Sequence, residues 1–163
     1  MAIITEAGAG QWYMDATGAV NAPLQPAFLC QPASVQSNFA ENADVTVVFG
    51  TERFDQGSDF ASNVFTAPVT GKYMLNTNIY FVGPQEAYNY LEVTIITSNR
   101  GYYNIVDSGT WDQDQAYMSM QVTVCAEMEA SDTAYVSIKQ DGTAGDASAD
   151  IGTASYFSGF LAC

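Results

Sequence analysis

The side chains able to do chemistry in this chain are carboxylates, tyrosines and three cysteines, because its 163 residues include no histidine. Without imidazole a Ser-His-Asp or Cys-His nucleophile is impossible, and metal-hydrolase sites lose their commonest ligand. No phosphate-binding glycine loop, dinucleotide fingerprint or nucleophile elbow stands in the sequence. Eighteen acidic residues provide many carboxylate pairs of the kind that hydrolyse glycosides, but the separation of any pair is a property of the folded chain. With no site signal, the chain reads as non-enzymatic.

Calcium binding is the sharper chemistry on offer, since a hard cation takes several oxygen ligands and aspartate-rich loops supply them. Asp112 and Asp114 form one such group, and Asp141, Asp146 and Asp150 another. Neither follows the twelve-residue EF-hand pattern, and solvated loops are the favoured reading of both. A second chemistry is ring stacking on sugars: Trp111, Tyr102, Tyr103, Tyr88 and Tyr90 fall in or beside loops. Burial of these rings, with each hydroxyl kept hydrogen-bonded, is the favoured alternative. Cys30, Cys125 and Cys163 are odd in number, widely spaced and without a CxxC pair, so they read as reduced thiols.

Charge removes further classes. Arg53, Lys72, Arg100 and Lys139 are the whole basic complement, and the net charge is −14. Four scattered cations cannot line a groove for nucleic acid. An acidic surface favours solubility and attracts cations or a basic partner. The opening residues MAIITEAGAGQWYMDATG lack a basic n-region and a long apolar core, so they do not read as a signal peptide. No window approaches the roughly 20 apolar residues of a membrane-spanning helix. Synthesis and folding in a cytoplasm, without a membrane partner, is the expectation.

The elements that must position these groups are strands. In the stretch Val64–Val82, Tyr73, Leu75, Thr77, Ile79 and Phe81 alternate with Lys72, Met74, Asn76, Asn78 and Tyr80, the period of a half-buried antiparallel strand. Ahead of it, Pro68 has no N–H for a ladder, and Gly71 supplies conformational freedom at the corner. Tyr117–Met128 alternates as clearly, with Met118, Met120, Val122, Val124, Ala126 and Met128 on its core face. Further strands are expected at 27–30, 45–49, 88–98, 102–106, 134–139 and 153–162. An aromatic turn is expected around Gly57, and a hairpin turn at Asn99-Arg100-Gly101. Residues 1–26 are too poor in apolar side chains to fold alone. They either add a strand pair, turning at Thr17-Gly18, or form an arm that docks on a neighbour. Many short alternating strands and no helical stretch argue for an all-β sandwich, with immunoglobulin-like topologies still open.

Two motifs narrow the topology. Phe65-Thr66-Ala67-Pro68-Val69-Thr70-Gly71-Lys72-Tyr73 resembles the F-x-A-P-x-x-G-x-Y segment of C1q/TNF-like domains, and Tyr156-Phe157-Ser158-Gly159-Phe160-Leu161 resembles the family's closing F-S-G-F-L strand. The resemblance runs from about Ala27 to Cys163. It implies a C1q/TNF-like jelly-roll β-sandwich of about ten antiparallel strands, forming a homotrimer and acting by binding. Calcium near a trimer apex is common in such domains, and tyrosines flanking their strands more often bury at the subunit interface.

With no collagen-like or coiled-coil stalk, secretory signal or membrane anchor in evidence, the chain looks like a tailed-bacteriophage virion protein of this type. The leading expectation is a trimeric capsid decoration or cement protein on the outer head surface. Ile3, Ile4, Trp12, Tyr13 and Met14 would dock it on the major capsid protein. The alternatives are a tail-fibre or tail-tip head, attached to another tail protein, whose loops 108–116 and 140–150 read a host glycan, and a secreted C1q-like recognition protein or lectin.

Overall fold

The computed structural model describes residues 13–14, 17–142 and 149–163. Among the described residues, two antiparallel sheets of six strands each face one another. One sheet contains β3 (Ala27–Gln31), β5 (Thr51–Gln56), β8 (Gly71–Val82), β11 (Tyr117–Met128) and β14 (Tyr156–Leu161), in the order β11-β8-β14-β3-β5. The other contains β6 (Phe60–Ala61), β7 (Val64–Thr66), β9 (Tyr88–Thr97), β10 (Gly101–Val106) and β12 (Thr133–Gly142), in the order β10-β9-β12-β7-β6. Short β4 (Val45–Thr46) pairs with β12, and β13 (Asp150–Ile151) pairs with β8. Crossovers between the sheets make this an all-β jelly-roll-like sandwich. Among the described residues the only helical element is a 3₁₀ turn over Ser108–Thr110.

Alternation builds the core. Tyr73, Leu75, Thr77, Ile79 and Phe81 of β8 are fully buried, and the intervening side chains face outward. β11 occupies the span read from the sequence and pairs with β8 at every position, from Tyr117↔Val82 to Met128↔Gly71. Phe28 is the aromatic hub, stacked on Phe65 at 4.7 Å and Phe60 at 5.2 Å and meeting Phe157 edge-on at 5.0 Å.

The two sequence motifs are packing devices. Phe65 stacks on the hub, and buried Ala67 uses its N–H on the Asp132 carbonyl and its carbonyl on the Ser131 N–H. Tyr73 packs against Phe65 and donates its hydroxyl to the Val69 carbonyl at 2.7 Å, so the ring is buried with its polar end satisfied. Gly71 is needed for space rather than for a left-handed corner: a Cβ there would lie 2.5 Å from Leu161 Cδ1 and 2.7 Å from the Cys163 carbonyl oxygen. The turn before β6 is stapled by Asp55, whose carboxylate accepts the N–H groups of Asp59 and Phe60 at 3.1 and 3.0 Å.

Several boundaries differ from those the sequence suggests. Only Val45 and Thr46 of the 45–49 run join a ladder. Val47 donates to the Val136 carbonyl, Val48 bonds the Gln36 side chain in both directions, and Phe49 donates to Asn63 Oδ1. The last strand begins at Tyr156, because the Ser155 N–H closes a turn on the Gly152 carbonyl and the Ser155 hydroxyl oxygen accepts the Tyr80 N–H. Gly101 belongs to β10, the turn being closed by Thr97 and Arg100. In the amino-terminal segment, β1 (Tyr13–Met14) and β2 (Val20–Asn21) pair in a two-stranded ladder of their own, separate from both main sheets.

Candidate functional site

The outward face of the β11-β8-β14-β3-β5 sheet is chemically unlike the rest of the molecule. From Met74 to Tyr80 on β8, Tyr117 to Cys125 on β11 and Tyr156 to Phe160 on β14, no outward position carries a charge, although the chain has eighteen acids and four bases. Charge returns only at the margins, with Lys72 and Glu127 at one end and Glu52 and Arg53 on edge strand β5.

Apolar side chains stand free on this face. Phe54, Phe160 and Tyr117 are 51%, 48% and 64% exposed. Phe54, Phe160, Leu29, Met74 and Ala27 line a shallow cavity of about 790 Å³. Its polar members are held in place: Asn76 accepts the Thr123 hydroxyl at 2.7 Å and donates to the Tyr156 hydroxyl at 3.3 Å. Tyr80 and Tyr117 stack with centroids 5.7 Å apart and planes at 13°. Apolar rings around a fixed neutral hydrogen-bonding network suit burial against protein, since burying these groups leaves no charge to desolvate.

Two other grooves differ in character. A cavity of about 650 Å³ between β10 and β11 is lined by Lys72, Arg100, Tyr102, Cys125, Glu127 and Glu129, both signs of charge together. On the opposite sheet, Asn89, Tyr90, Ile105, Asp107, Gly109 and Thr110 line an open groove of about 490 Å³. Beside it, Lys139 lies 5.6 Å above the Tyr90 ring and 3.5 Å from Asp141, and Asn89 donates to Asp141 at 3.1 Å. The Asn89 hydrogen bond, then Lys139, hold the Asp141 carboxyl below its ordinary range, and Tyr90 holds the Lys139 ammonium above its own.

The aspartates singled out from the sequence do not form one cage. Asp112 and Asp114 are exposed, and Asp114 accepts the Glu86 N–H at 3.0 Å. Asp141 is engaged as above, and Asp150 accepts the Asn38 N–H at 3.3 Å. Asp146 lies outside the described residues, and among these no three acidic, cysteine or histidine groups come together as a metal site. Ile3, Ile4 and Trp12 also lie outside them, as do the side chains of Tyr13 and Met14.

The aromatic set divides. Tyr88 is fully buried in the sandwich and is no sugar platform, and Trp111 and Tyr102 pack partly against the core. Tyr103 is exposed, and Tyr90 borders the groove just described. All three thiols are free. Burial, then the charges of Glu52 and Asp55, push the Cys30 thiol far above its ordinary range, so it stays protonated and inert. Phe54 and Phe160 were not legible as site residues, although Phe160 lies within a recognised motif at an outward position of its strand.

With this geometry in hand, a family model described as C1q domain matches residues 27–162. The globular domain of zebrafish complement 1qA protein aligns with a TM-score of 0.54 at 15% identity, covering 85% of this chain and 98% of that one. Murine APRIL aligns with a TM-score of 0.58 at 12% identity, covering 84% and 98%. These likenesses concern the fold. No curated protein sequence matches the chain.

Proposed function

The chain belongs to the C1q domain family, and from that premise we propose that it is a non-enzymatic homotrimeric binding head whose copies meet through the charge-free sheet face. C1q/TNF-like domains are typically trimeric recognition modules without enzymatic activity. The observation that carries the proposal is the absence of charge across the centre of one sheet in a chain of net charge −14. Between copies of so acidic a chain, long-range repulsion is unfavourable, and a neutral apolar patch is where contact costs least. A stable interface needs on the order of 1,000 Å² or more of buried surface, and the face of a six-stranded sheet offers room for it.

Within that assembly we read the protein as a decoration trimer on the outer capsid of a tailed phage, positioned at the virion surface. The hairpin segment ahead of the domain supports this reading, because Val20 and Leu24 on it are exposed apolar side chains suited to gripping a shell protein. The tail-fibre reading is favoured by the open groove beside Tyr90, where that ring, the Asn89 amide and the Asp107 carboxylate stand together, groups suited to stacking on and hydrogen-bonding a sugar.

The test uses Phe54→Glu and Phe160→Glu in sedimentation velocity, with Ile105→Glu on the other sheet as control. The two face variants should dissociate to monomers while the control stays trimeric. A trimer that survives both face substitutions would refute the interface. Capsid binding by a chain lacking residues 1–26 tests the decoration role, and undiminished binding would remove it.

A further inference from the structure

We propose that Glu41 and Gln140 hold one hard cation, of the calcium class, inside one end of the sandwich. Glu41 forms a parallel bridge to Gln140, and the Asn42 N–H donates to the Gln140 carbonyl at 2.8 Å. The next residues lock the register: Asn42 Nδ2 donates to the Gly142 carbonyl at 2.6 Å and Asn42 Oδ1 accepts the Gly142 N–H at 2.9 Å. Bridged residues project to the same side of a ladder, so the Glu41 and Gln140 side chains share one face.

Gln140 has no exposed surface. Its amide orientation is fixed, because Nε2 donates to the Phe39 carbonyl at 2.6 Å, and exchanging nitrogen and oxygen would set two acceptors at that distance. Its Oε1 is therefore an interior acceptor without a donor. Glu41 Oε1 is a second one, buried and likewise without a donor. Buried acceptors in folded proteins are nearly always satisfied, so two of them on bridged residues mark a place for a donor or a cation, and the carboxylate oxygen among them favours the cation. A carboxylate and an amide oxygen are the ligand types of a hard cation. The neighbouring ammonium, Lys139, does not serve, since it pairs with Asp141 and Tyr90 on the other side of β12. The net charge of −14 raises the local concentration of cations.

This site differs from the aspartate loops and lies within one chain, so its failure would leave the trimer untouched. With few protein ligands, an affinity on the order of 10⁻⁴ to 10⁻³ M for Ca²⁺ is expected, the range of weakly charged sites. The experiment strips the full chain with a chelator and titrates Ca²⁺, reading stoichiometry by native mass spectrometry and stability by thermal melting. One Ca²⁺ per chain and a rise in melting temperature with Ca²⁺ are expected. Glu41→Gln, which keeps the shape and removes the charge, should weaken binding at least tenfold, and Asp112→Asn with Asp114→Asn should not. Should Glu41→Gln fail to fold, Glu41→Asp supplies a charged but shortened arm and should weaken binding several-fold. No Ca²⁺-dependent shift in the unaltered chain would overturn the proposal, leaving a bridging water as the occupant. Binding that follows the Asp112 and Asp114 substitutions instead of Glu41 would overturn it equally.

Discussion

Replacing Gly159 by alanine tests whether the closing motif is a packing requirement. Gly159 sits in β14 between Leu75 of β8 and Phe28 of β3, its register partners. A Cβ there would lie 2.7 Å from Leu75 Cδ2, 2.8 Å from Phe28 Cε1 and 3.2 Å from the Met74 carbonyl oxygen. The backbone is not left-handed at this position, so the conflict is one of space alone. Neither neighbour has free room: Leu75 is fully buried, and Phe28 is held by three aromatic partners. Forcing one methyl into a filled core costs about 1–3 kcal/mol. The lower entropy of an unfolded alanine returns about 0.4–1 kcal/mol. A net loss of about 1–2 kcal/mol is expected, which for a domain of this size lowers Tm by about 2–8 °C. Denaturant unfolding with an unchanged m-value, beside circular-dichroism melting, measures it. Ser158→Ala, one residue earlier on the outward face, is the control. Equal or higher stability in Gly159→Ala would refute the reasoning.

Other expectations follow from single contacts. Asp55→Ala removes both acceptors of the turn before β6 and should cost about 2 kcal/mol by the usual worth of hydrogen bonds to a charged group; a change within error in urea unfolding would contradict the staple. Burial, then the charge of Asp55, raise the Asp59 pKa in the folded state. The stability linked to a raised pKa is present below the unfolded value and lost as pH rises through the folded one. Asp59→Asn should therefore stabilise the protein at neutral pH and lose that advantage in acid, and a pH series of melting temperatures checks the sign. Cys163 should react with a maleimide in the native protein and Cys30 only after unfolding; native labelling of Cys30, found by peptide mapping, would contradict its burial.

The parts of this fold that the sequence made legible are those where one face is dry and the other wet. In β11 every core residue alternates with a polar or exposed one, so periodicity alone gave its limits. In β5 the signal fails, because Thr51–Gln56 is an exposed, polar edge strand with a register shift against β3. The 45–49 run fails oppositely: Val47 and Phe49 are buried, yet a backbone contact and the Asn63 side chain satisfy them instead of a ladder. The candidate face was legible only as the outward half of β8 and β11. Phe54, Leu29 and Phe160 join it through pairings between strands far apart in sequence, which no local pattern encodes. The bridge joining Glu41 to Gln140 is hidden for the same reason.

The central claim, that copies of this acidic chain meet through an uncharged sheet face, is tested most directly by the solution mass of the unaltered protein. Native mass spectrometry and sedimentation at micromolar concentration should give three times the 17.5 kDa chain mass, with Phe160→Glu reduced to one. A monomer in the unaltered chain, at physiological ionic strength and with Ca²⁺ present, would contradict the account.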